Sequence, residues 1–417
     1  MTSLKMTSKI GGIAIAGISL ASSLLAQSGV RAVGPAPSDR RAVHLYSAGV
    51  DAGDYVYISG QGPRKSEGSL PANFADRVRQ ALDNVQAVVK SAGLDLNHIV
   101  YMQVYVEDMG NYAELKKTIA DYFGKDQPAQ AVLGVARTPD PSVEIAAVAV
   151  RNLEGKRAVY PAGYKTDDTP PGMLTHDRLF ISSMAGADPV SGKVPDDPAA
   201  QVDLALDRME AVAKAAGLDL KNMVFVNPFL TKDIPGRVMN EHYAKRFEFG
   251  NTPARATIWV SSVPGAAHIE YTGVAVRDLA QRKAIRPKNM PPSPTASPCV
   301  FAGDTLYCSA KDGFIPGPHG GVYATTPEHQ LRQTMRNQLD NLEEAEMSFD
   351  QVVSTNVYLD NLADLSGFDA VYAEYFGSIP PARATVQQLA PTERKADKED
   401  HFPGLEQVSL IAVRSRK

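Results

Sequence analysis

The chain has 417 residues, a formal net charge of −4, and apolar and charged fractions of 44% and 22%, the proportions of an ordinary folded protein. That length exceeds one ordinary domain and is comfortable for three, and the composition lets each third build a core. The acidic balance, with no basic run and no basic patch interleaved with aromatics, argues against nucleic-acid binding through phosphate contacts.

The first residues read as an export signal. Lys5 and Lys9 supply a positive n-region, Ile10 to Ala26 is apolar and small, and Leu24-Leu25-Ala26 offers a cleavage site before Gln27. The competing reading is an uncleaved anchor, since the apolar run falls just short of a spanning helix. Its Gly, Ala and Ser content dilutes the hydrophobicity and favours cleavage. The expected location is periplasmic or secreted, with no stable membrane insertion after cleavage. Val30 to Asp39 reads as a Gly/Pro/Ser linker.

The remainder repeats three times. Each copy opens with a hairpin: Asp51 to Ser59, Leu174 to Ser182, Phe301 to Ser309. An amphipathic helix follows, with Val78, Leu82 and Val85 on its apolar stripe in the first copy. Val202, Leu206 and Met209 form the stripe in the second, and Leu331, Met335, Leu339 and Leu342 in the third. Ser91-Ala-Gly-Leu-Asp-Leu then matches Ala215-Ala-Gly-Leu-Asp-Leu. Alternating runs after it predict strands at Ile99, Met223 and Val352. Pro228 inside the second run predicts an edge or a bulge there. A second helix is expected to stop at Gly124, Gly250 and Gly377, and two strands close each copy. The predicted class is α+β, with helices on one sheet face. The expected divisions are 1–32 (signal and linker), 33–158, 159–285 and 286–417. The uncovered sheet faces predict three copies packed on one another, a covalent version of a cyclic trimer.

Cys299 and Cys308 flank Gly303-Asp304. A two-residue turn there sets the cysteines opposite each other, which suits a disulfide in an oxidising compartment. A turn one residue earlier leaves them reduced and unpaired. Both readings stand on sequence alone.

One stretch carries chemistry. Arg255 follows Pro253-Ala254 at the start of a β-branched run, and Glu270 lies in the next apolar run. The two runs read as neighbouring strands, so both side chains are expected at one pocket. A guanidinium holds a carboxylate through two parallel hydrogen bonds, and a nearby glutamate can manage the proton of an attacking water. The equivalent pairs are Gln130 and Glu144 in the first copy and Arg383 and Gln407 in the third. On this reading only the middle copy is intact. The bland alternative is a cross-strand ion pair. The scattered histidines lack paired ligand spacing, so no metal is expected.

The hairpin ending Ser59-Gly60-Gln61, the Ala-Gly-Leu-Asp-Leu stretch, the Tyr-Phe-Gly helix end and the Pro-Ala-Arg strand resemble the RidA (YjgF) family of imine/enamine deaminases, over roughly residues 40 to 417. The resemblance implies a chorismate-mutase-like fold, trimers with a pocket at each interface, hydrolysis of 2-imino acids to 2-oxo acids and ammonia, and no cofactor. It implies that Arg255 binds the substrate carboxylate and Glu270 handles water, with Asn240, Ser182, Tyr46 and Arg383 lining pockets. Asp369 stands where the family keeps an asparagine, and Glu406, beside Gln407, is a possible substitute carboxylate through a bulge. The expected protein is a monomeric pseudo-trimer acting on a small carboxylate-bearing imine or 2-oxo acid. The alternative is a non-catalytic small-anion binding module or interaction scaffold.

Overall fold

The computed structural model describes residues 29–35, 45–164, 169–317 and 320–414; the expected export signal lies outside them. Three units follow one plan. In the first, the sheet order is Arg31–Val33, Gly49–Asp51, Tyr55–Gln61, Val143–Val150, Ile99–Val106, Ala129–Gly134. Ile99–Val106 runs antiparallel to Val143–Val150 and parallel to Ala129–Gly134. The third sheet repeats this order from Arg282–Ile285 to Ala382–Gln387.

Two helices cover one face of each sheet. The long ones are Phe74–Ser91, Pro198–Ala215 and Pro327–Glu344. Each starts on a side chain suited to the exposed N–H groups of a first turn: Asn73 accepts from Asp76 N, Asp197 from Ala199 N and Thr326 from His329 N. Such caps contribute about 1 kcal/mol each. Val78, Leu82 and Val85 are fully buried, as the spacing predicts. In the third helix Leu331, Met335 and Leu342 are buried as expected, but the buried face extends to polar residues. Leu339 is only half-buried, while Thr334, Gln338 and Asn341 are inside. Gln338 Nε2 donates to Ser309 O and Val408 O, which satisfies its amide there.

Four expectations are corrected. Arg31–Val33, inside the expected linker, is an edge strand paired with Gly49–Asp51 and held by an Arg31–Asp51 ion pair. Arg157–Val159 and Arg282–Ile285 belong to the following sheets, so each unit begins slightly before the expected division. The second helix ends on its glycine only in the first unit. The others stop at Ala244 and Tyr372, before Gly250 and Gly377. Pro228 is at neither an edge nor a bulge. It pairs with Tyr271, and on its other side the neighbouring strand breaks into Ala254–Arg255 and Ile258–Trp259. Proline offers no N–H to that neighbour; instead Asn227 Nδ2 donates to Ala256 O across the break.

Cys299 and Cys308 are directly opposed and disulfide-bonded, with Cα atoms 4.0 Å apart. The Gly303-Asp304 turn sets this register, and Gly303 takes the positive φ of 63° that such a turn requires.

The sheet faces away from the helices pack together. One apolar cluster joins Tyr105, Phe225 and Tyr307, and another joins Tyr57, Phe180 and Val353, each drawing on all three units. Arg178 is 2% exposed at a three-way meeting. Its guanidinium lies 4.4 Å from the Tyr55 ring of the first unit and donates to Tyr307 and Thr305 of the third.

Candidate functional site

The hairpin serines join the units in a cycle. Ser182 Oγ accepts from Gln130 N at 2.9 Å, Ser309 Oγ from Arg255 N at 2.8 Å, and Ser59 Oγ from Arg383 N at 2.8 Å. Each serine donates its own proton to a backbone carbonyl: Pro170, Ser297 and Ser47 respectively. Ser182, expected to bind substrate, therefore has no proton left to give a ligand. Its role is to stitch two units. The strand carrying the arginine position of one unit always faces the hairpin and closing strand of the next.

This arrangement separates Arg255 from Glu270. Their strands are not neighbours: both flank Met223–Leu230, one on each side. Arg255 turns toward the third unit and Glu270 toward the first. The expected single pocket in the middle copy does not exist, because sites form between copies.

Between the first and second units lies a cleft of about 280 Å³. Gln130 stands at the arginine position, its Nε2 donating to Thr169 Oγ1 at 2.6 Å. Ser183 Oγ donates to Glu270 Oε1 at 2.6 Å. Burial pushes the Glu270 carboxyl up to about 8, against the Ser183 hydrogen bond and the Arg208 charge. Lys116 and Arg208 also line this cleft.

Between the second and third units lies a cleft of about 350 Å³. Arg255 Nη1 donates to Asn240 Oδ1 at 2.7 Å, and its guanidinium lies 5.1 Å from the Tyr243 ring. Asn240 thus positions the arginine. The carboxylate position is Gln407, whose Nε2 donates to Thr257 O at 3.3 Å. Glu406 does not replace it: Glu406 Oε1 accepts from Thr334 on the long helix.

Between the third and first units the matching positions hold both charges. Arg383 lies with its guanidinium 5.0 Å from the Tyr46 ring and 4.9 Å from the Tyr372 ring. Its Nη1 donates to Asp369 Oδ1 at 2.7 Å, an ion pair where the second unit has the neutral Asn240. Glu144 comes from the first unit, and its Oε1 accepts from Thr385 N at 3.2 Å. Both are nearly buried, Arg383 at 6% and Glu144 at 4% exposure. Burial raises the Glu144 carboxyl to about 8, while the Thr385 N–H and the Arg383 charge hold it down. Burial also raises the Tyr46 phenol.

Gly60 makes this approach possible. A Cβ there would sit 1.9 Å from Glu144 Oε1. The second unit carries Ser183 at the same place, and its hydroxyl engages Glu270 instead. Of the sequence candidates, Arg383 and Tyr46 meet here, Arg255 and Asn240 meet in the second cleft, and Ser182 and Glu270 line the first. Glu144 is the residue that reasoning within single copies misses. Its signal is distributed: the first copy has carboxylate, serine and tyrosine without arginine, and the third has arginine without the carboxylate.

The profile of the family described as Endoribonuclease L-PSP matches residues 37–151, 170–277 and 289–393. The chain is 40% identical over 115 residues to the 2-iminobutanoate/2-iminopropanoate deaminase of Escherichia coli, covering 26% of this chain and 90% of that protein. It is 35% identical over 109 residues to a RutC family protein of Pyrococcus horikoshii, covering 25% of this chain and 86% of the relative. The crystal structure of the E. coli YjgF gene product aligns at 36% identity with a TM-score of 0.27, covering 29% of this chain and 99% of that one.

Proposed function

The chain belongs to the Endoribonuclease L-PSP family, that of the RidA/YjgF and RutC proteins, and on that premise we propose that it hydrolyses small carboxylate-bearing imines or enamines to 2-oxo acids and ammonia at the junction of its third and first units. One observation carries this reading. Among the described residues, that junction alone brings an arginine and a glutamate together from the matching positions, with Tyr46 over the guanidinium. The three units stand in for the subunits of a trimer, and only one of three equivalent junctions keeps the full charge pair.

Arg383 holds the substrate carboxylate with the guanidinium N–H groups that Asp369 leaves open. Asp369 fixes the plane of the guanidinium and offsets part of its charge. The Tyr46 and Tyr372 rings confine it further. The imine carbon then lies toward Glu144. Ionised Glu144 takes a proton from water as the oxygen bonds to that carbon. It passes that proton to the nitrogen, giving a carbinolamine, then moves the carbinolamine hydroxyl proton to the same nitrogen, so that the C–N bond breaks, ammonia leaves and the carbonyl forms. Burial of Glu144 makes it a stronger base than an exposed carboxylate. The disulfide and the signal-like start support action outside the cytoplasm.

The test is an amino-acid oxidase assay in which the fall of free 2-imino acid is followed with the mature protein. Acceleration is expected, with losses of roughly 100-fold or more in Glu144→Gln and Arg383→Gln. Glu270→Gln should turn over as wild type does. Acceleration that survives Glu144→Gln sinks the assignment.

A further inference from the structure

The cleft between the second and third units has cations in its lining and no glutamate, whereas each of the other two junctions holds a glutamate. Among the described residues two cationic side chains line it, Arg255 and Lys311, and no lining residue is a carboxylate. Among the described residues Arg255 finds only neutral partners: Asn240, the Met239 sulfur and the Tyr243 ring. At the third–first junction the corresponding arginine is offset by Asp369 and faces Glu144. At the first–second junction Glu270 is present and the arginine is absent. Lys311 is particular to this cleft, since the positions matching it are Gln61 and Met184.

Desolvating two like charges together is unfavourable unless an anion joins them. The surroundings are arranged to receive one. Thr257 lines the cleft, and its hydroxyl is buried without a hydrogen-bond partner. Ala296 stands where the third–first junction has Tyr46, which leaves the guanidinium uncovered on that side. Gln407 replaces the carboxylate, so an anion meets no general base; the nearest negative charge is Asp312, next to Lys311 in sequence and outside the cleft lining. We infer that this cleft binds a short-chain dicarboxylate without turning it over, one carboxylate on the Arg255 fork and the other on the Lys311 ammonium. Both anchors open on the same cleft: Ser309 contacts the Arg255 backbone, and Lys311 lies two residues further along that strand, past a bulge. Arginine supplies two parallel donors to one carboxylate, and lysine acts as a point charge for the second. A monocarboxylate or inorganic phosphate engages only one of the two anchors well.

This inference stands apart from the deaminase reading, because neither Arg255 nor Lys311 belongs to the Arg383–Glu144 junction. The experiment is calorimetric titration of the mature full chain with succinate and glutarate, with butyrate and inorganic phosphate as comparators. Saturable binding is expected at one site, at least tenfold tighter for a dicarboxylate than for butyrate or phosphate. Lys311→Met should remove that preference, Lys311→Arg should restore it, and Arg255→Gln should weaken both classes of carboxylate. Imine turnover should be unchanged in the Lys311 variants. Equal affinity for butyrate and succinate, or a preference untouched by Lys311→Met, overturns the inference. Dicarboxylate binding without any imine turnover leaves it intact and refutes the deaminase reading instead.

Discussion

Glu144 accepts the backbone N–H of Thr385 from 241 residues away in sequence, two residues beyond Arg383 on the same strand. That hydrogen bond ties the carboxylate of the first unit to the strand that carries the guanidinium of the third. On the proposed reading it sets the distance across which a substrate would be held.

Activity should depend on pH through this carboxyl. Its folded pKa is raised to about 8, mainly by burial. The base is the ionised form, so kcat/KM should climb about tenfold per pH unit below that value and level above it. Rate profiles of wild type should show this limb, and Glu144→Gln should lack it. A flat profile between pH 6 and 9 in wild type contradicts the assignment of Glu144 as the base.

Gly60→Ala should damage the site while sparing the fold. The new Cβ meets the Glu144 carboxylate, and the overlap costs about 1–3 kcal/mol if nothing yields. The new Cβ meets only the Glu144 side chain, which must shift off its Thr385 hydrogen bond, so turnover should drop at least tenfold with a smaller change in denaturation midpoint. Ala310, the matching residue in the third unit, should accept Gly with no effect on turnover.

Arg178→Met should cost about 3 kcal/mol or more, because Tyr307 and Thr305 lose a charged donor in the interior and the half-exposed Asp177 loses its ion pair. Tyr307→Phe, which removes one hydrogen bond, should cost about 1–3 kcal/mol. Guanidinium titrations measure both. A loss under 1 kcal/mol for Arg178→Met would show that the three-way meeting is not a stabilising element.

The buried carboxyls should also make stability decline as pH rises from about 4.5 to 8. Glu144, Glu270 and Glu406 are each raised by burial from the ordinary 4.5 to about 8. The folded protein keeps three protons that the unfolded chain releases above 4.5. Each such carboxyl therefore favours folding fully below about pH 4.5. That contribution declines by about 1.4 kcal/mol per pH unit until pH 8. Glu406→Gln removes one of the three, and the difference between variant and wild type should narrow or reverse with rising pH. A difference that stays constant from pH 5 to 8 would show that Glu406 ionises normally.

Much of the fold was legible because its signals are local. The three-to-four spacing around Val78 marks a buried helix face, and the Gly303-Asp304 turn sets the cysteine register. Of the local readings that failed, two show the physical reason most directly. Leu339 was outcompeted for the interior by Gln338, whose amide finds two backbone carbonyls. Pro228 left its own strand intact and broke the neighbour's.

The site was legible residue by residue but not as a site. Arg255 and Glu270 are close in sequence and sit on opposite sides of one strand. Arg383 and Glu144 are distant in sequence and meet. Spacing along a chain carries no record of which sheet edge faces which hairpin, so pairing across units is absent from any single copy.

The serine cycle closes last at Ser59 and Arg383. A chain made from its N-terminal side completes the first–second cleft as soon as two units are folded, and the second–third cleft with the next. The junction proposed to do chemistry waits for the last unit to fold back on the first. Its assembly reports that the whole chain has been synthesised and folded in register, so partial chains would be inert by construction.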